Sequence, residues 1–172
     1  NDNAIEVIIN YLIKKNHTHI AYINISEKYN FANERKSSFL KKLKLNKINF
    51  NPNYYASVKL EEPENSFEVI KKMLTKNKKI SAIICSTEFS ALSAIKACND
   101  LNYKIGKDIS IITFDGALVR DLSSPPITAV SFPVKELGKR AINILLDKNK
   151  NQTVNYLAKS EIIERGSVHI VS

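Results

Sequence analysis

Glycine is scarce: Gly106, Gly116, Gly138 and Gly166 are the only four in 172 residues. They form neither G-x-G-x-x-G nor a P-loop, so a nucleotide cradled in such a loop is excluded. Cysteine is scarcer still. Cys85 and Cys98 provide neither a disulfide framework nor metal-ligand spacing, and read as buried free thiols of a reducing compartment. Three histidines, His17, His19 and His169, fit neither a metal cluster nor a nucleophile–base pair, and read as surface or packing side chains. No catalytic residue, metal site or cofactor is expected, which sets an α/β enzyme aside. No apolar window reaches the length of a membrane span, and no charged-then-apolar leader opens the sequence. The chain starts abruptly, Asn1-Asp2-Asn3 leading straight into a helical pattern, as if cut from something longer.

Acidic residues are outnumbered, 17 Asp+Glu against 26 Lys+Arg, for a net charge of +9. A clustered excess would point to phosphate backbones. Here the lysines are spread over helix-like segments such as Lys41-Lys42-Leu43-Lys44 and Lys71-Lys72, with acids between them, and read as solvated helix faces. With 44% hydrophobic and 25% charged residues, the chain has the makings of one ordinary globular domain with a sizeable core.

Apolar periodicity then divides the chain. Helical spacing begins at Ala4, Ile5, Ile8, Ile9 and Leu12, with Asp2 or Asn3 as the expected N-cap. Residues 19–24 (HIAYIN) read as a strand, 31–45 as a helix and 54–58 as a weaker strand. A helix opening at Pro63 carries Phe67, Ile70, Met73 and Leu74. The runs 80–85 (ISAIIC) and 109–114 (ISIITF) have the continuous apolar character of strands covered on both faces, with a helix over 89–101 between them. A Ser/Pro-rich loop leads to a strand at 127–130, a helix over 133–146, a polar loop at 147–155 and a last strand over 156–163. Strands alternating with helices imply an α/β fold, a parallel sheet with helices on both faces.

In such sheets ligands bind beyond the carboxyl ends of the strands. That rule nominates residues 24–27, 57–60, 86–88, 115–118 and 131–132. Asp115, directly after a buried run, is placed to accept hydrogen bonds from ligand hydroxyls or amines; a helix-capping or loop-fixing role is the alternative. Arg35, four residues before Phe39, offers a planar fork of five donors; a surface ion pair is its alternative.

The run Gly106-Lys-Asp-Ile-Ser-Ile-Ile-Thr-Phe-Asp115 followed by Pro125-Pro-Ile-Thr-Ala-Val130 resembles the lac repressor family, whose pattern is G-x-D-[IV]-S-[IV]-[IV]-[GA]-[FY]-D, a variable loop, then P-P-L-T-T-[IV]. Phe132-Pro133 through Gly138 to Ala141 resembles the family's P-x-x-x-L-G-x-x-A helix. The stretch from Glu161 to Ser167 (EIIERGS) resembles its closing strand. His19-Ile-Ala-Tyr-Ile and Arg35-Lys-Ser-Ser-Phe39 resemble its H-x-x-I-A-x-I and R-x-x-G-F segments. Thr87-Glu88 departs from the family's Asn-Asp, Leu60-Glu61 stands where an aromatic is often found, and Ser38 and Ser93 replace glycines.

The resemblance implies a type I periplasmic-binding-protein-like α/β fold, with two subdomains and an effector between them. On that basis residues 1–15 form a helix of the N-terminal subdomain, 16–129 the C-terminal subdomain, 130–163 a returning part of the N-terminal subdomain, and 164–172 a crossover strand. The implied function is effector sensing and dimerisation in a DNA-binding transcription regulator, a repressor answering a sugar or related small molecule. An exported sugar-binding protein of a transport system is the alternative. Family positions map onto Arg35 as a clamp for hydroxyls or carboxylates, Asp115 as a hydroxyl acceptor, Thr87 as a polar contact and Phe132 as a stacking wall. The implied partners are the effector, a second copy in a homodimer, and operator DNA reached only through a helix-turn-helix outside this chain. The implied location is the cytoplasm, with no membrane contact.

Overall fold

The computed structural model describes residues 1–59, 62–116, 122–146 and 156–171. Its elements run α1 (Asp2–Lys14), β1 (Ile20–Ile25), α2 (Asn30–Leu45), β2 (Tyr55–Val58), α3 (Pro63–Lys76), β3 (Ala82–Cys85), α4 (Glu88–Asp100), β4 (Ser110–Phe114), β5 (Thr128–Ser131), α5 (Val134–Leu146) and β6 (Glu161–Ile163). The six strands form one sheet in the order β2-β1-β3-β4-β5-β6. The first five pair in parallel, with Tyr22 opposite Tyr55 and Ile84, and Ile84 opposite Ile112. Strand order reverses between β1 and β3, which opens a crevice at the carboxyl ends there.

Alternation along the strands sends side chains into two cores. Ala21, Ile23, Ile83, Cys85 and Ile111 pack with Ile70 and Leu74 of α3 and with Ala91, Ala94 and Cys98 of α4. Tyr22, Ile84, Ile112 and Phe114 face the other way, onto Ile5, Ile8, Ile9 and Leu12 of α1 and Phe39 and Leu43 of α2. Every residue of β1, β3 and β4 is buried, which is why these segments read as unbroken apolar runs. Both cysteines are free and buried.

The helix α1 lays its apolar stripe on the same sheet as α2: Ala4, Ile5, Ile8, Ile9 and Leu12 are fully buried in one core with Tyr22 and Ile112. Three expectations are corrected. The N-cap is Asn1 rather than Asp2 or Asn3, and its side chain makes no capping bond; it accepts from Arg35 Nε instead, while the Asn3 side chain accepts from the Ser160 amide. Lys42 is not on a solvated face. It is 8% exposed and ties α2 to α1 through Glu6 at 3.0 Å and Asp2 at 3.5 Å. The last strand, β6, is three residues long and antiparallel to β5, Ala129 facing Ile163 and Ser131 facing Glu161. The ladder stops there because Phe132 leads into Pro133, which has no N–H to offer.

The H-x-x-I-A-x-I spacing falls on His17 rather than His19, and His17 is the one buried, at 0% exposure. Its Nε2 donates to the His169 carbonyl at 3.0 Å and its Nδ1 accepts from the Ser81 hydroxyl at 2.9 Å. A carbonyl only accepts, so the neutral Nε2–H tautomer is the one that fits. Ser167 works in the same way. Its hydroxyl donates to the Ile111 carbonyl at 2.6 Å and accepts from the Thr128 amide at 2.8 Å, stapling the closing segment to β4 and β5. The polar loop expected at 147–155 and the Leu60-Glu61 substitution lie outside the described residues.

Candidate functional site

The switch point between β1 and β3 holds a recess of about 460 Å³. It is lined by Phe31, Arg35, Ser86, Thr87, Glu88 and Phe89, closed by Phe114 and Asp115 at the end of β4. Two larger recesses, about 550 and 570 Å³, lie elsewhere and are lined by lysines and asparagines around Pro52, without a carboxylate. A fourth, about 420 Å³, lies between α5 and β6 and also carries both charges, with Ser131, Glu136, Tyr156, Lys159 and Glu161 on its wall. Position singles out the first, which stands at the carboxyl ends of the strands where their order reverses.

Arg35 reaches this recess from α2 and is 9% exposed. Its Nη1 donates to the Ser86 carbonyl at 2.9 Å and its Nε to Oδ1 of Asn1 at 3.0 Å. The guanidinium carbon stands 3.7 Å from the centroid of Phe114 and 5.1 Å from that of Phe31. Burial pulls its pKa below the ordinary value, with Asp115 among the groups pulling it back. Among the described residues, Nη2 is left without a hydrogen-bond partner. Arg35 is thus a fixed, ring-stacked cation, not the surface ion pair that its sequence position alone allowed.

Asp115 follows β4 at a bend with φ +65°, a left-handed conformation that aspartate tolerates better than most residues. Its backbone amide donates to the Val130 carbonyl at 2.9 Å, so the bend is pinned to β5. Gly116 continues the turn at φ +66°, where an added Cβ would meet the Ala129 Cβ at 2.5 Å; only glycine fits. The Arg165 guanidinium supports the same turn, donating to the Gly116 carbonyl at 3.5 Å and to the Ile127 carbonyl. The Asp115 side chain makes no hydrogen bond among the described residues and is exposed to the recess. Its carboxyl is raised above the ordinary aspartate value by partial burial, against the pull of Arg35 and with a further push from Glu88. A carboxylate held there, unspent and flanked by a stacked guanidinium, suits neighbouring hydroxyls or amines on a ligand.

Thr87 is in the recess but its side chain is engaged. Its Oγ1 accepts from the Ser90 amide at 3.2 Å while the Ser90 hydroxyl takes up the Thr87 amide at 3.2 Å, a reciprocal cap on α4. Phe132 does not line the recess; it stacks behind it on Phe114, centroids 6.3 Å apart and planes 23° from parallel. Sequence reasoning left out Phe31, Phe89 and Phe114; Glu88 fell within the nominated segment 86–88 without a role of its own. Phe114 was hidden because it ends a run that reads as core, and it is core, stacked on Phe132 while Arg35 lies over the ring at the recess. Of the nominated segment 115–118, residues 117 and 118 lie outside the described residues. Among the described residues, no group of three His, Cys, Asp or Glu side chains is placed to hold a metal ion, and no helix is long and apolar enough to cross a membrane.

Parallel sheet, covered faces and a polar–aromatic recess at the switch point define a ligand-binding α/β domain. The chain belongs to the periplasmic binding protein-like domain family, whose model matches residues 9–168. It is 30% identical over 164 residues to the HTH-type transcriptional regulator RegA of Clostridium saccharobutylicum, covering 92% of this chain and 48% of that protein. It is 32% identical over 138 residues to the HTH-type transcriptional repressor PurR of Histophilus somni (strain 2336), covering 80% and 41% respectively. The chain spans about half the length of the curated relatives it matches. In structure it resembles a sugar-binding transcriptional regulator of the LacI family from Escherichia coli complexed with phosphate, with a TM-score of 0.87 and 22% identity over 99% of this chain and 62% of that one.

Proposed function

We propose that this chain is the effector-sensing part of a transcription regulator, binding a hydroxylated small molecule such as a sugar in the Arg35–Asp115 recess. The observation that carries it is the convergence of a stacked, buried guanidinium and an unspent carboxylate at the switch point of the sheet. Arg35 offers donors to ligand oxygens and Asp115 accepts from ligand hydroxyls. Thr87 holds the α4 end of the wall in place, and Phe132 backs Phe114, which backs Arg35. The relatives' names support regulation over transport.

Effector acts by favouring one arrangement of two subdomains over another, since a ligand that touches both arrangements equally shifts nothing. In this reading residues 130–163 lead into the second subdomain. The helix α5 agrees: none of its residues is buried, and Val134, Ile142, Ile144 and Leu145 stand 45–70% exposed, apolar side chains left uncovered among the described residues. The regulator works in the cytoplasm as a homodimer and reaches operator DNA through a helix-turn-helix outside these residues.

The test is induction of a reporter by the full-length protein. Arg35→Ala and Asp115→Ala are expected to weaken the effector response while the variants still fold and bind DNA. An unchanged response in both would overturn the site.

A further inference from the structure

We infer that Ser86, not Thr87, supplies the polar contact that the end of β3 offers a ligand, its hydroxyl turning toward the bound molecule; this rests on the effector-site reading above. The two neighbours differ in what their side chains are free to do. The Thr87 Oγ1 caps α4 and stands 3.1 Å from the Ser90 hydroxyl, so turning it to a ligand would open the helix end. Ser86 is held by its backbone alone, the amide donating to the Ile23 carbonyl at 2.9 Å and the carbonyl accepting from Arg35 at 2.9 Å. Its side chain lines the recess, the residue is 2% exposed, and Oγ is buried with no hydrogen-bond partner among the described residues.

Buried hydroxyls normally have partners, so an orphan on a pocket wall calls for one. Rotation about one side-chain torsion moves Oγ without disturbing the backbone bonds that fix the residue. A serine hydroxyl both donates and accepts, whereas Arg35 only donates and an ionised Asp115 only accepts. Together the three match adjacent hydroxyl groups on a ring, each of which donates once and accepts. Ser86 then sets specificity for the hydroxyl nearest β3, and Arg35, bonded to the Ser86 carbonyl, registers the same ligand from the other side.

Two measurements on the full-length protein need no ligand. In Ser86→Cys, iodoacetamide is expected to label the introduced thiol at least about tenfold faster than the buried Cys85 and Cys98, read by peptide mass spectrometry. An introduced thiol as slow as Cys85 would overturn the assignment. Ser86→Ala is expected to raise Tm by roughly 2 °C, because it removes a polar atom that has no partner; a fall in Tm would mean the hydroxyl is already bonded and would equally overturn it. With D-glucose, cellobiose, D-ribose and adenosine as probes, any compound that binds the wild type should bind Ser86→Ala about tenfold more weakly. Undiminished affinity counts against Ser86, while the absence of binding to the wild type counts against the effector reading instead.

Discussion

The guanidinium of Arg35 lies 3.7 Å from the centre of the Phe114 ring, and that contact joins the sheet core to the recess. Phe114 is 1% exposed and ends β4, so the last core side chain of the strand is also the platform for the site's cation. Phe114→Leu keeps the apolar volume roughly but removes the ring. The expected cost is about 1–2 kcal/mol of stability, from lost cation–π and packing terms, measured by urea denaturation. Ligand affinity should fall with it. Unchanged affinity would show that Arg35 does not depend on the ring.

Ser167 makes two buried hydrogen bonds, at 2.6 and 2.8 Å, between the closing segment and strands β4 and β5. Ser167→Ala leaves the Ile111 carbonyl and the Thr128 amide without that partner. The expected loss is about 2–3 kcal/mol, seen as a lower urea midpoint with an unchanged slope.

His17 is fully buried, and burial depresses its pKa to about 4 from an ordinary 6.5, against the hydrogen bond with His169. A histidine depressed in the folded state gives stability that is complete above pH 6.5. That stability is lost as pH falls toward 4, because the unfolded chain takes up the proton first. The shift corresponds to a loss on the order of 3 kcal/mol. His169 is shifted in the same direction, by burial, and adds to the slope. Urea midpoints at pH 7, 6, 5 and 4 should fall steadily in the wild type and less steeply in His17→Gln.

The carboxyl of Asp115 has the opposite sign. Its pKa is raised by partial burial, so ionising it costs the folded state stability once pH exceeds the ordinary aspartate value. Asp115→Asn is expected to melt at or above the wild-type temperature at pH 7, and to match it below pH 3.8, the ordinary aspartate value. Ligand binding should nonetheless be lost. A variant clearly less stable at pH 7 would mean that Asp115 fixes the turn rather than serving a ligand.

The strands were legible because a sheet covered on both faces leaves a plain record: Ile109, Ile111, Ile112 and Phe114 can alternate between two cores and still all be apolar. Arg35 and Asp115 were nominated from the helix after β1 and the end of β4, and both stand on the wall of one recess. The burial of Lys42 was not, because a lysine run looks the same in sequence whether or not α1 supplies Asp2 and Glu6 across it. Nor was the attachment of α1, since an amphipathic stripe says that a helix packs and not on which sheet. Thr87 was assigned to the ligand through its family position, which does not show that its hydroxyl accepts from the Ser90 amide. Phe114 was passed over because one aromatic serves core and recess together.

The central claim is that the recess between Arg35 and Asp115 binds a small effector, and a thermal-shift screen of the full-length protein against sugars, sugar phosphates, nucleosides and purines tests it most directly. A ligand of the folded state raises Tm, by an amount that grows with concentration over Kd. The account predicts that one hydroxylated class raises Tm and that Asp115→Ala abolishes the rise without lowering the melting temperature of the ligand-free protein. A rise that survives in both Asp115→Ala and Arg35→Ala, or no rise with any compound, would contradict it.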